Sequence, residues 1–210
     1  MKNILKFSMP IIPHNIAMWI RGGFDVILIT IILNSKEAGI YSIAFQLSSI
    51  IGLLSSSFIS AFTPYLYTKL HKGTKKDKKN IVYITYIYCI FVFLITLFIS
   101  IFYHMFIPIV IDIKYINAID IIYILNFANA FLAIYYIIST YIFYEKKTYE
   151  LSKLTIYISL LHVMMSYILT AMLGIKGTAI AIFITYLISL IMVFRLSNKI
   201  YPMPWLIKEN

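Results

Sequence analysis

Six long apolar stretches occupy almost the whole chain, at about residues 7–33, 38–66, 81–107, 117–143, 151–173 and 178–200. Each is longer than the ~18–20 residues that cross the hydrocarbon of a bilayer. They are also too long and too uniformly apolar for barrel strands. A spanning backbone must satisfy its own hydrogen bonds, so each stretch is predicted to be an α-helix. The predicted fold is an all-α integral membrane protein, a bundle of six transmembrane helices in a single lobe over residues 1–210. Turn signals fall between the stretches. Lys36-Glu37-Ala38-Gly39 is expected to close the first hairpin, and His71-Lys72-Gly73 to open the longest polar loop. Pro108 is expected to end the third span, and Gly174 to Gly177 to form a tight link between the last two.

Composition agrees with this pattern. The chain is 61% hydrophobic, against roughly 45–50% for soluble domains, and its mean hydropathy is +0.89. The net charge of +10 raises the possibility of nucleic acid, but the cations sit in short segments between apolar runs and form no soluble basic face. Nucleic acid is therefore not an expected partner. Counted by side, fourteen cations fall on one face of the membrane: Lys2, Lys6, Lys69 to Lys79, Lys146, Lys147, Lys153, Arg195, Lys199 and Lys208. Three, Lys36, Lys114 and Lys176, fall on the other. The positive-inside rule then makes both termini cytoplasmic. Tyr65, Tyr67, Tyr83, Tyr115, Tyr144, Tyr201 and Trp205 lie near span ends, where aromatic belts form. Pro10, Pro13, Arg21 and Asp25 interrupt the first run and no small-residue site closes it, so it is read as a retained span and not a signal peptide. A single cysteine, Cys89, lies inside an apolar run. No metal-ligand spacing occurs, and no cofactor is expected.

The chemistry is confined to polar residues inside the spans. At ~100° per residue, His14, Arg21 and Asp25 share one stripe of the first helix. An Arg or Asp at a helix centre costs roughly 2.5–3.5 kcal/mol on insertion scales. Arg21 and Asp25 are four apart and can pair. Pro10, Pro13 and Gly22-Gly23 can break or bend the helix. Intramembrane charge points by default to a substrate- or ion-contacting site; the alternative is a structural ion pair. Gln46 in the second span leans towards cavity lining, whereas Ser42, Ser49, Ser57 and Ser60 read as a packing seam. The fourth span carries Asn126 and Asn129. The fifth places Thr155, Ser159, His162, Ser166 and Thr170 at i+3/i+4 steps. His162 is a possible proton relay, although a lone His among hydroxyls is more often an interhelical donor. Gly177, Ala181, Thr185 and Ser189 form a packing face on the sixth span. The lysines from Lys69 to Lys79 read as an ordinary cytoplasmic loop, with anionic lipid headgroups the lesser alternative. No nucleophile elbow, Walker loop, HExxH or paired intramembrane carboxylates are present, so an enzyme is not expected.

Several collinear segments resemble the Wzx-type polysaccharide-biosynthesis flippases of the multidrug/oligosaccharidyl-lipid/polysaccharide exporter superfamily. Leu5 to Ile29 resembles the family's Pro-x-x-Pro-His opening, followed by a Trp and a mid-helix Asp. Ala38 to Ile50 is similar to its Gly-x-Tyr-Ser-x-Ala entry to the next span. Ala61 to Leu70, Tyr144 to Thr148 and Gly174 to Leu187 fit later spans. Two departures stand out. The family usually has an Arg directly after the Asp, where this chain has Val26, and often an Asn near Ser166-Tyr167.

The resemblance implies one lobe, the C-terminal one, of a MATE-like two-lobe transporter that moves lipid-linked oligosaccharide across the cytoplasmic membrane by alternating access. One lobe alone cannot enclose a cavity. The chain is therefore expected to be a fragment, or half of a transporter completed by a missing N-terminal lobe or a second copy. His14, Arg21, Asp25, Gln46, Asn126 and His162 are the expected cavity-lining residues, with lipid-linked oligosaccharide and membrane lipid as partners. Two other readings stay open: a lobe of a cation-coupled exporter of small amphiphiles, and a non-transporting membrane scaffold subunit.

Overall fold

The computed structural model describes residues 8–110 and 118–206. Lys2, Lys6, Lys114, Tyr115 and Lys208 lie outside the described residues. Among the described residues seven helices follow in order: α1 (Ile11–Ile20), α2 (Gly23–Ile32), α3 (Ser35–Lys72), α4 (Lys75–Val110), α5 (Ala118–Tyr144), α6 (Thr148–Leu173) and α7 (Ile175–Ile200). No strand occurs among the described residues. Helices α1 and α2 together make one broken span, so six spans are long and apolar enough to cross a membrane. The chain is a multi-pass membrane protein.

The links are shorter than the apolar pattern suggests. Asn34 caps α3, its side chain accepting the Glu37 N–H at 3.0 Å. Lys36 to Gly39 is therefore the first turn of a helix and not a hairpin loop. Gly73, at φ +65°, closes α3 in the left-handed conformation that glycine reaches without a Cβ penalty. Thr74 then caps α4: its Oγ1 accepts the Asp77 N–H at 3.1 Å and donates to the Asp77 carboxylate at 2.6 Å. Lys69 closes on Asp77 at 2.8 Å. The expected long polar loop is thus a two-residue turn between helices, because its lysines are good helix formers once both ends are capped. The third span does not stop at Pro108; α4 continues to Val110.

Helix α5 is the axis of the bundle. Of its membrane window 72% is buried, against 22–39% for the other spans. It packs against α7, α3 and α4, while α6 packs against α7 and α1, and α2 against α3. Ala128, Ala130 and Ala133 are fully or almost fully buried on α5, and small side chains there let the neighbouring helices approach closely. Large apolar side chains point outwards instead, among them Trp19, Phe98, Leu160 and Met164. Lipid tails, not water, are the solvent that accepts such a surface.

Cross-bundle contacts align the span ends. Tyr67 meets Tyr144, and Tyr144 meets Tyr201. Lys78 lies 4.5 Å over the Tyr201 ring. The ends that carry Lys69 to Lys79, Lys146, Lys147 and Lys199 therefore gather at one face. At the opposite face, Leu33, Asn34 and Glu37 share the lining of a hollow of about 700 Å³ with Leu173, Gly174 and Lys176.

The last two spans turn at Gly174, with φ +63°, as the glycine pattern predicts. Gly177 then sits against the end of α6 so closely that an added Cβ would lie 1.9 Å from the Leu169 carbonyl oxygen. The obstacle is backbone and cannot swing aside. Gly177→Ala is expected to destabilise the chain by about 3 kcal/mol or more, at the upper end of overpacking costs. Thermal unfolding in detergent micelles checks this; a melting temperature equal to the parent's would contradict the packing.

Candidate functional site

The first span breaks where its charges are. Helix α1 ends at Ile20, Arg21 keeps a helical φ of −73°, and α2 restarts at Gly23. The Gly22 N–H still reaches the Trp19 carbonyl at 3.1 Å. A Cβ on Gly22 would lie 2.9 Å from the Phe45 ring, and one on Gly23 would lie 2.7 Å from Trp19 Nε1. The two glycines thus let two aromatic rings close over the joint. Pro10 and Pro13 do not bend the span. They sit at the start of α1, where a missing N–H costs nothing.

Asp25, in the first turn of α2, is completely buried. Oδ1 accepts from Ser166 Oγ at 2.8 Å and lies 3.1 Å from His162 Nε2. Oδ2 accepts from the Tyr41 hydroxyl at 3.1 Å. Three elements, α3, α6 and α2 itself, therefore meet at one carboxylate. The other ring nitrogen of His162 lies 3.1 Å from Thr185 Oγ1 on α7.

Arg21 is also completely buried. Its guanidinium donates to the Ser189 hydroxyl on α7, touches the Met18 sulfur, and lies 5.5 Å from the centre of the Tyr186 ring. Its Nε has no hydrogen-bond partner. Nearby, His14 Nδ1 is 2.9 Å from Thr155 Oγ1, and Ser159 Oγ donates to the Ala17 carbonyl at 2.7 Å. These two bonds fasten α1 to α6.

The expected Arg21–Asp25 pair is not formed. Asp25 faces His162 instead, its Oδ1 3.1 Å from Nε2. The i,i+4 geometry that would join Arg21 to Asp25 needs an unbroken helix, and the joint at Gly22 interrupts it. The cluster therefore unites His14, Arg21, Asp25 and His162 from the expected set. Gln46 does not join it, being exposed on the outer face of α3. Asn126 does not join it either. Its Nδ2 donates to Ser100 at 2.9 Å, tying α5 to α4, and its Oδ1 has no partner. Asn129 similarly ties α5 to α3 through Ser48 at 3.3 Å. In this conformation the charged residues are sealed inside the lobe, so a headgroup outside it cannot touch Arg21.

Tyr41, Ser166, Thr185, Ser189 and Tyr186 complete the site. Ser166 is one of the i+3/i+4 hydroxyls of the fifth span, whereas Thr185 and Ser189, expected as part of a packing face, reach His162 and Arg21. Tyr41 falls in the Gly-x-Tyr-Ser-x-Ala segment, where the resemblance gave it no role, and nothing in the local pattern marked Tyr186 among eighteen tyrosines.

The second span corrects another expectation. Of the expected packing seam, Ser49, Ser57 and Ser60 are exposed and pack against nothing within this chain, and Gln46, Ser56 and Thr68 are exposed beside them. At ~100° per residue they share one face of α3. Ser49, Ser56 and Ser57 turn their hydroxyls back to carbonyls of their own helix at 2.6–3.0 Å.

Fold and site together define a helical membrane protein whose broken first span carries a buried network of charged side chains. Residues 1–120 match the family described as polysaccharide biosynthesis protein, and the chain belongs to that family. The match includes Arg21, Asp25 and Tyr41 and ends before His162, Ser166 and Thr185. No curated protein and no solved structure matches the chain significantly.

A buried carboxylate bonded to three donors loses about 1.5–3 kcal/mol per donor removed. Tyr41→Phe and Ser166→Ala are each expected to lower stability by that order, while Gln46→Leu leaves it unchanged. Melting temperatures in detergent distinguish these outcomes.

Proposed function

We propose that the chain is one lobe of a transporter that moves lipid-linked oligosaccharide across the cytoplasmic membrane for surface polysaccharide biosynthesis. On this reading it is a transporter and not an enzyme, and it works by alternating access with a second lobe or a second copy. The observation that carries the reading is the outer face of α3. Elsewhere the bundle shows lipid large apolar side chains such as Phe98 and Leu160. Here it presents Gln46, Ser57, Ser60 and Thr68 beside Leu53 and Ile50. A glutamine amide in hydrocarbon leaves its hydrogen bonds unmade at a cost of several kcal/mol. A hydrated cleft between two lobes gives that face water and sugar hydroxyls as partners.

Family membership supports the polysaccharide part of the reading. The lysine-rich end, by the positive-inside rule, is placed in the cytoplasm, with both termini there. The buried cluster lies directly behind the joint of the first span. It therefore acts as a control point for lobe movement and not as the surface that meets the headgroup.

The reading is tested by thiol labelling and by flipping. In a Cys89→Ala background, Ser57→Cys and Ser60→Cys are expected to react with a membrane-impermeant maleimide, because the reagent attacks the thiolate, which forms in water and not in lipid. Phe98→Cys, on the lipid face, is expected to stay unlabelled. Proteoliposomes containing the chain are expected to translocate a fluorescent lipid-linked oligosaccharide, and Arg21→Ala and Asp25→Ala to abolish that activity. Equal silence at Ser57, Ser60 and Phe98, or full activity in both charge variants, would refute the reading.

A further inference from the structure

Helix α7 ends at Ile200, and Pro202 and Pro204 keep the chain from resuming it. Each proline ring fixes its own φ at about −65° and removes one backbone donor. The segment from Tyr201 to Leu206 therefore has little freedom to lose on being placed, and few N–H groups to satisfy. The Trp205 N–H closes a tight turn on the Met203 carbonyl at 2.9 Å. These residues form a stiff strap beyond the last helix.

The strap is seated in the cleft that α4 and α7 leave over α5. Phe131 of α5 marks that cleft, meeting Phe93 of α4 and Phe183 of α7 edge to face. Away from the lysine-rich end the cleft stands open as a hollow of about 480 Å³, lined by Tyr123, Ile124 and Phe127 of α5 and by Ile180, Phe183 and Ile184 of α7. Towards the lysine-rich end the strap fills it. The Trp205 ring packs on Tyr86 of α4, Tyr141 of α5 and Phe194 of α7, with centroids 5.1–6.4 Å apart. Met203 is buried beside it. The Tyr86 hydroxyl donates to the Trp205 carbonyl at 2.5 Å. At the root of the strap, Tyr201 meets Tyr144 and lies under the Lys78 ammonium. Through these contacts the strap joins α4 to α7.

The seat fits the strap incompletely. The Trp205 indole N–H is buried with no acceptor. A buried donor without a partner has given up its water for nothing, which weakens the seated position. Ring contacts and the Tyr86 hydroxyl hold the strap in place, and it belongs to no helix. It can therefore leave without breaking a backbone ladder.

We propose that Tyr201 to Leu206 is a latch. Seated, it clasps α4 to α7 at the lysine-rich end, with Trp205 as its plug. Released as a unit, it leaves the cleft open along α5 and frees the two helices to move apart there. Its release is a step of the transport cycle; that half rests on the function proposed above.

The test reads the strap in the full chain in detergent. Trp205 is one of two tryptophans, so Trp19→Phe makes its emission a reporter of the seat. The expected emission is that of an indole shielded from water. Hydrogen exchange at the Met203 and Trp205 amides is expected to run faster than exchange within α7 and independently of it. Tyr86→Phe, which removes one hydroxyl, is expected to speed exchange at both amides roughly fivefold. It is also expected to shift the Trp205 emission to the red, while exchange within α5 and α7 stays at the parent's rate. Strap amides that exchange only when α7 unfolds would overturn the latch, as would strap exchange unchanged by Tyr86→Phe. In proteoliposomes, Tyr86→Phe is expected to flip lipid-linked oligosaccharide several-fold faster than the parent. A loosened strap with flipping unchanged or slowed would overturn the role in transport alone. A strap that opens locally in a parent chain that flips no lipid would overturn the transporter reading and leave the latch standing.

Discussion

Hydrocarbon offers no hydrogen bonds, and the rest of the structure depends on that. Every polar group placed in a span must find its partner inside the protein or in a hydrated cleft. Asp25 shows the consequence most sharply. Its carboxylate is completely covered, and it gathers Tyr41, His162 and Ser166 from two other helices around itself. Removing one donor from such a group costs about 1.5–3 kcal/mol. The cluster therefore orders the bundle as well as giving it chemistry. Helices α2, α3, α6 and α7 are held in register by side chains that have nowhere else to turn.

The joint in the first span is the structural answer to placing two opposite charges there without letting them neutralise each other. In an unbroken helix Arg21 and Asp25 would sit one turn apart and pair. Gly22 and Gly23 end one helix and begin another between them, and Trp19 and Phe45 close against the backbone where any Cβ would intrude. Arg21 then turns to α7 and the Tyr186 ring, and Asp25 to α6 and α3.

The two kinds of polar surface have different roles. Buried amides such as Asn126 and Asn129 join α5 to its neighbours and act as interhelical glue. The exposed face of α3 bonds to nothing across the bundle; several of its hydroxyls fold back onto their own helix. Those serines are satisfied by their own helix, and the face they share with Gln46 is left open to water or to a second lobe.

Much of this was legible in the amino-acid order alone, because lipid acts on each residue separately. Runs of Ile, Leu and Phe long enough to span must be helices, and the sided lysines set the gathering of span ends at one face. Arg21 and Asp25 had to be hidden, since exposure to acyl chains is prohibitive. Family resemblance was carried by the same local strings around Pro13-His14 and Asp25. Tertiary structure decided which partners those residues chose. His162 is 137 positions from Asp25, and Ser189 is 168 from Arg21. No local period reports a contact between such distant positions. It also decided which way α3 faces: Gln46 and the serines obey helical spacing whether they look inwards or outwards, and only packing against α5 turned them away from the core.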